Sequence, residues 1–154
     1  MMEELDKRIV IIGGPRTGKT TYAARFSDVT DWIRCSDPKA HGGNADDRFD
    51  LPERERWSAV SAEVAGWLDR PGPWVVEGVA VIRALRKWRD AHPGCPCPCE
   101  EVHLLTRVKI ATLTTGQESM TKGVMTIFRE LVSWMRETAQ LVLPDEEEED
   151  EELL

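Results

Sequence analysis

The sequence predicts a three-layer α/β domain with a parallel sheet of about four or five strands, and three observations carry that expectation. Ile9, Val10, Ile11 and Ile12 form a β-branched run that leads straight into a glycine loop and then a helix-forming segment. Further short apolar runs at residues 32–35, 74–78 and 102–105 alternate with stretches whose apolar residues recur at helical spacing. Proline and glycine clusters such as Pro71-Gly72-Pro73 punctuate the alternation. Strands separated by helices pair in parallel, because a right-handed crossover returns the chain to the same end of the sheet.

The first element is the most informative. Gly13-Gly14-Pro15-Arg16-Thr17-Gly18-Lys19-Thr20, continued by Thr21, fits G-x-x-x-x-G-K-T, a phosphate-binding loop between a strand and a helix. Glycines at 13, 14 and 18 let backbone N–H groups curl around phosphate oxygens with no Cβ in the way. Lys19 supplies a point charge for the β- and γ-phosphates, and the Thr20 hydroxyl is placed for Mg²⁺. The helix that starts near Gly18 directs its N-terminal dipole at the same anion.

That helix is expected over residues 20–26. Residues 32–35 read as a second strand opening onto Ser36-Asp37-Pro38, so Asp37 falls at the strand end facing a ligand crevice. A polar loop follows to Asp50, which with Glu53 forms a helix start. Trp57, Val60, Val64, Trp67 and Leu68 then line one helical face. After the third strand, ending in Glu77-Gly78, a helix over 79–89 buries Val81, Ile82, Leu85 and Trp88, and carries Arg83 and Arg86 three apart so that both could reach one anion. Residues 92–100 form a proline-stiffened connection before the fourth strand, which ends at Thr106-Arg107. Residues 109–122 are polar, with a turn at 116–120. A strongly amphipathic helix from about 123 to 141 runs inward through Val124, Ile127, Phe128, Leu131, Trp134 and Met135. A fifth strand cannot be placed.

Composition excludes several classes. The 154 residues suit one domain, 1–143, followed by an acidic tail, 144–154. Asp145 to Glu152 are eight consecutive acids; without them 20 acidic residues balance 20 basic ones, so the net charge of -8 belongs to the tail. Such a run is expected to be solvated, with an interaction tail for a basic protein partner or a mimic of nucleic-acid charge as the alternatives. No basic stripe suggests a nucleic-acid groove, and no apolar run is long enough to span a membrane, so a cytoplasmic location is expected. His92, Cys95, Cys97 and Cys99 are potential soft ligands, but C-P-C-P-C lacks the two-residue gap usual in a zinc knuckle, and no required metal is expected there.

The strand, loop and helix at residues 9–26, with the alternation that follows, resemble the P-loop NTPase superfamily, and within it the small nucleoside, nucleotide and polynucleotide kinases, bacteriophage members included. The loop match is specific; over residues 9–140 the resemblance is topological. It implies ATP and Mg²⁺ as donor and cofactor, with a nucleotide or nucleoside acceptor, or a polynucleotide end. It further implies that Lys19, Asp37, Glu77 and Arg107 are catalytic, Asp37 as the base for the acceptor hydroxyl. Glu77 joins Thr20 at the metal, and Arg83, Arg86 and Lys122 bind the acceptor. The chain departs from the family pattern in its lid: Arg107, Lys109, Lys122 and Arg129 offer no clear arginine pair over the γ-phosphate, and no segment typical of adenine binding is present. A thin lid admits water, which keeps a partner-coupled ATPase in view beside the kinase. A non-catalytic nucleotide-binding module is the third reading, since a phosphate loop binds without guaranteeing turnover. The absence of an Asn-Lys-x-Asp segment argues against a Ras-type GTPase.

Overall fold

The computed structural model describes residues 7–26, 32–34, 53–109 and 112–145. Within them the chain folds as an α/β domain around a parallel sheet. Strands β1 (Arg8–Gly13), β2 (Trp32–Arg34), β3 (Trp74–Glu77), β4 (Glu101–Leu105) and β5 (Gln140–Val142) lie in the order β2-β3-β1-β4-β5. Every adjacent pair is parallel. The helices are α1 (Lys19–Ala23), extended by a 3-10 turn at Ala24–Phe26, then α2 (Glu53–Trp67), α3 (Val81–Ala91) and α4 (Thr115–Thr138).

The β-branched run becomes the central strand because both of its faces are covered. Val10 and Ile12 pack with Val76, Val102 and Leu104 under α2, α3 and α4, where Val64, Leu85, Leu131 and Met135 complete the core. Ile9 and Ile11 face the other way, with Val75, Leu105 and Ala23 of α1, flanked by Tyr22 and Phe26. This second layer is thin among the described residues, and part of it is polar. Alternation along β4 puts Glu101, His103 and Leu105 on the α1 side. There Tyr22 OH lies 2.6 Å from His103 Nδ1, His103 Nε2 lies 2.7 Å from Glu101 Oε1, and Lys7 Nζ donates to Glu101 Oε2 at 2.6 Å. Burial pushes the Glu101 carboxyl up, but Lys7 and His103 outweigh it and hold the group below the usual carboxylate range.

Two expectations are corrected in the C-terminal third. The stretch 116–120 is helix rather than turn: Thr114 caps α4 by accepting from Gln117 N at 3.1 Å, while the Gln117 side chain accepts from Thr114 N at 2.9 Å. This reciprocal capping box starts the helix eight residues before the amphipathic pattern begins at 123. The helix also stops earlier, at Thr138, because Ala139 turns extended and the next three residues pair with Glu101, Val102 and His103 as β5. Three apolar or amidic residues at the end of a helical pattern are indistinguishable from one more turn until an edge is there to pair with.

Candidate functional site

The crevice lies at the carboxyl ends of β1, β3 and β4. Gly13 of β1 is in register with Leu105, the last residue of β4, and Ile11 with Glu77, the last residue of β3. The loop leaving β1 therefore emerges between two strand ends, one bearing a carboxylate and the other feeding residues 106–109. Its backbone depends on glycine at two places. Gly18, the residue before α1, has φ +82°, a left-handed geometry that a side chain would strain. Gly13 has no room: a Cβ there would lie 2.9 Å from the Leu105 carbonyl oxygen. Gly13→Ala is therefore expected to destabilise the fold by about 1–3 kcal/mol, read as a lower urea midpoint with an unchanged slope.

Lys19 and Thr20 open α1. The Lys19 side chain folds back over the loop, where Nζ donates to the Gly14 carbonyl at 2.7 Å, and the residue is 9% exposed. Thr17 Oγ1 donates to the same carbonyl at 2.9 Å. Thr20 Oγ1 donates across the crevice to Glu77 Oε1 at 3.3 Å, although the two residues are 57 positions apart. Glu77 is 2% exposed, so this carboxylate is a charge held almost out of water with the Thr20 hydroxyl against it. Thr21 is exposed on α1, Pro15 is half-buried, and Arg16 is exposed with φ 64°, its carbonyl accepting from Lys109 N at 2.8 Å.

The remaining expected site residues divide. Asp37 lies outside the described residues. Arg83 is half-buried against α4, where a Cβ on Gly123 would meet its Nη2 at 3.0 Å; two residues away, Thr121 packs on Gly14. Burial, and next the charge of Arg86, lower the Arg83 pKa, as expected for a guanidinium held without full hydration beside another cation. Arg86 lies against Glu130 of α4, Nη1 to Oε1 3.5 Å, with both side chains partly exposed. Lys122 is exposed on α4. Arg107 sits beside the crevice, and its Nη2 donates to the Asp145 carbonyl at 3.3 Å.

Asp145 is the residue that sequence reasoning misplaced. Expected as the first acid of a solvated tail, it is 4% exposed and faces the crevice. Its Oδ2 accepts from Thr106 N at 2.9 Å and Arg107 N at 2.7 Å, and its Oδ1 from Lys109 Nζ at 3.0 Å. Burial pushes the carboxyl up, yet the Arg107 N–H, Lys109 and the Thr106 N–H together hold it below the usual aspartate range. A depressed folded pKa contributes stability that is present above the unfolded value, about 3.9, and is lost as pH falls through the folded one. The stability gap between wild type and Asp145→Asn in urea melts is accordingly expected to be largest at neutral pH and to close in strong acid. No sequence signal separates Asp145 from its seven acidic followers; only Pro144, buried beside it, hints at a docked turn.

The cysteine connection is built differently. Cys97 and Cys99 are buried with their sulfurs 3.5 Å apart, Cys95 is exposed, and His92 stacks on Trp88 at 4.0 Å with Nδ1 2.8 Å from the Trp88 carbonyl oxygen. Among the described residues no group of three or more His, Cys, Asp or Glu side chains could hold a metal ion, and no helix is long and apolar enough to cross a membrane. No protein-family model matches the chain, and no curated protein matches it.

Proposed function

We propose that this chain is a P-loop phosphotransferase that moves the γ-phosphoryl group of ATP to a nucleoside, a nucleotide or a polynucleotide end. The observation that carries the reading is the contact of Thr20 with Glu77: a hydroxyl from the start of α1 meets a carboxylate from the end of β3, and the Lys19 ammonium folds back over the glycine loop. A glycine loop alone is a turn; with these three groups around it, it has the parts that phosphoryl transfer needs, since that chemistry is mostly positioning and charge neutralisation. Lys19 would follow the migrating phosphoryl group, and the backbone N–H groups near Gly18 and Lys19, at the positive end of α1, would hold the β-phosphate. The Thr20 hydroxyl and the Glu77 carboxylate are hard oxygen donors suited to Mg²⁺ and would hold it. When bound, that ion would neutralise phosphate charge.

Asp37 takes the part of the base that orients the acceptor hydroxyl and accepts its proton late in transfer, and Arg83, held next to α4, that of an acceptor-phosphate ligand. A partner-coupled ATPase is the second reading. It is favoured by the engagement of Arg107 with the Asp145 carbonyl, since residues 106–109 hold no second arginine to pair with it over the γ-phosphate.

The deciding experiment incubates the protein with γ-labelled ATP and Mg²⁺ in the presence of panels of nucleosides, nucleotides and 5′-hydroxyl oligonucleotides, and measures label in both acceptor and free phosphate. Transfer to one acceptor class supports the kinase. Release of phosphate with no acceptor labelled replaces it with the hydrolase, and neither product with ATP still bound leaves a binding module. With the acceptor known, Asp37→Asn is expected to leave ATP affinity nearly unchanged and to slow transfer by about 10²–10⁴-fold. Equal transfer at saturating acceptor would remove Asp37 from the mechanism.

A further inference from the structure

We infer that Asp145 is a positioning residue of the nucleotide site, acting through Lys109; the inference rests on the nucleotide-binding reading above. The geometry forms a continuous chain from the C-terminal segment to the glycine loop. Asp145 Oδ2 ties down the amides of Thr106 and Arg107, and Oδ1 holds the Lys109 ammonium at 3.0 Å. Lys109 N in turn donates to the Arg16 carbonyl of the loop at 2.8 Å. The Lys109 stem lies along the loop at its helix end, where a Cβ on Gly18 would sit 3.4 Å from Lys109 Cγ and 3.5 Å from Cε. One acidic side chain thus fixes both ends of the segment that covers Gly18.

That segment walls a cavity of about 330 Å³, whose lining includes Thr17, Gly18, Tyr22, Arg25, Lys109 and Asp145. The cavity opens beside the first residues of α1, so a nucleoside triphosphate whose phosphates lie in the loop would have Lys109 alongside it. A lysine carries several rotatable bonds, and an unrestrained ammonium would sample many positions there at an entropic cost on binding. Asp145 restricts it beforehand. The carboxylate is well suited to this work because it is nearly dry and accepts three hydrogen bonds, two from backbone, so it is itself held in one orientation. Losing the charge would free Lys109 and weaken the hold on residues 106 and 107, so the effect on ligand affinity should exceed what a remote surface anchor could cause.

The test is a calorimetric titration of the full chain with Mg-ATP, run on wild type, Lys19→Ala, Asp145→Asn, Lys109→Ala and the Asp145→Asn/Lys109→Ala double variant, each first melted to set a temperature at which it is folded. Asp145→Asn and Lys109→Ala are each expected to weaken ATP binding about tenfold, and the double variant no more than the worse single one, because both changes break the same link. A lower melting temperature in Asp145→Asn with unchanged affinity would make Asp145 a structural anchor only and overturn the inference. Additive losses in the double variant would also overturn it, since the two residues would then act separately. If Asp145→Asn does not fold, Lys109→Ala, with a side chain 41% exposed, still decides: unchanged affinity there defeats the proposal and a tenfold loss supports it. Lys19→Ala separates the two readings. Loss of binding in Lys19→Ala with Asp145→Asn and Lys109→Ala unaffected removes this inference and leaves the nucleotide reading standing, whereas a wild type that binds neither ATP nor GTP removes both.

Discussion

Lys19→Ala is expected to lower nucleotide turnover by about 100-fold or more, a loss of about 3 kcal/mol of transition-state stabilisation, while leaving the fold intact. The lysine is nearly buried, and its ammonium is held over the loop by the Gly14 carbonyl, so its charge acts at short range where water screens it little. Alanine is a good residue for the first turn of a helix, and the side chain it replaces fills no apolar core, so circular dichroism and melting temperature should barely move. Turnover measured on purified, folded protein checks the claim. Unchanged turnover would sink both the kinase and the ATPase readings and leave only a binding module.

Glu77→Gln is expected to reduce turnover by about 10–100-fold and to raise the Mg²⁺ concentration needed for half-maximal rate, as changes around a metal's ligands commonly do. Glutamine keeps the length and one acceptor oxygen for Thr20, 3.3 Å away in the wild type, so the substitution isolates the charge. A variant less active and partly rescued by Mg²⁺, compared with wild type at a temperature where urea melts show both folded, is the expected pattern. Identical magnesium curves for Glu77→Gln and wild type would take Glu77 out of the metal site.

Much of the architecture was legible because the signals were local. Residues 9–12 were legible as a strand from their β-branched run, and the two clusters that cover its faces make it the central one. The helical faces of α2 and α3 were legible at Val60, Val64, Leu85 and Trp88 for the same reason of period, and each of these residues is buried. The start of α4 was missed because a capping box is a polar signal, and Thr114 with Gln117 was hidden in a run of threonines and glycines. Arg83 and Arg86 were legible as a pair on one helix, but which partner each takes is set by α4, and Glu130 claims Arg86.

The sequence by itself determined the loop, the strand before it and the helix after it, because glycines, lysine and threonine at fixed spacing are a covalent fact that needs no distant partner. The tertiary structure alone decided that Glu77 meets Thr20, that a three-residue fifth strand closes the edge beside β4, and that Asp145 turns inward while sharing its composition with a charged run. The physical reason is the same in all three cases. A carboxylate, an amide edge or a strand edge acquires its role from donors and acceptors that lie 36 or more residues away along the chain, and only packing brings them within a hydrogen bond.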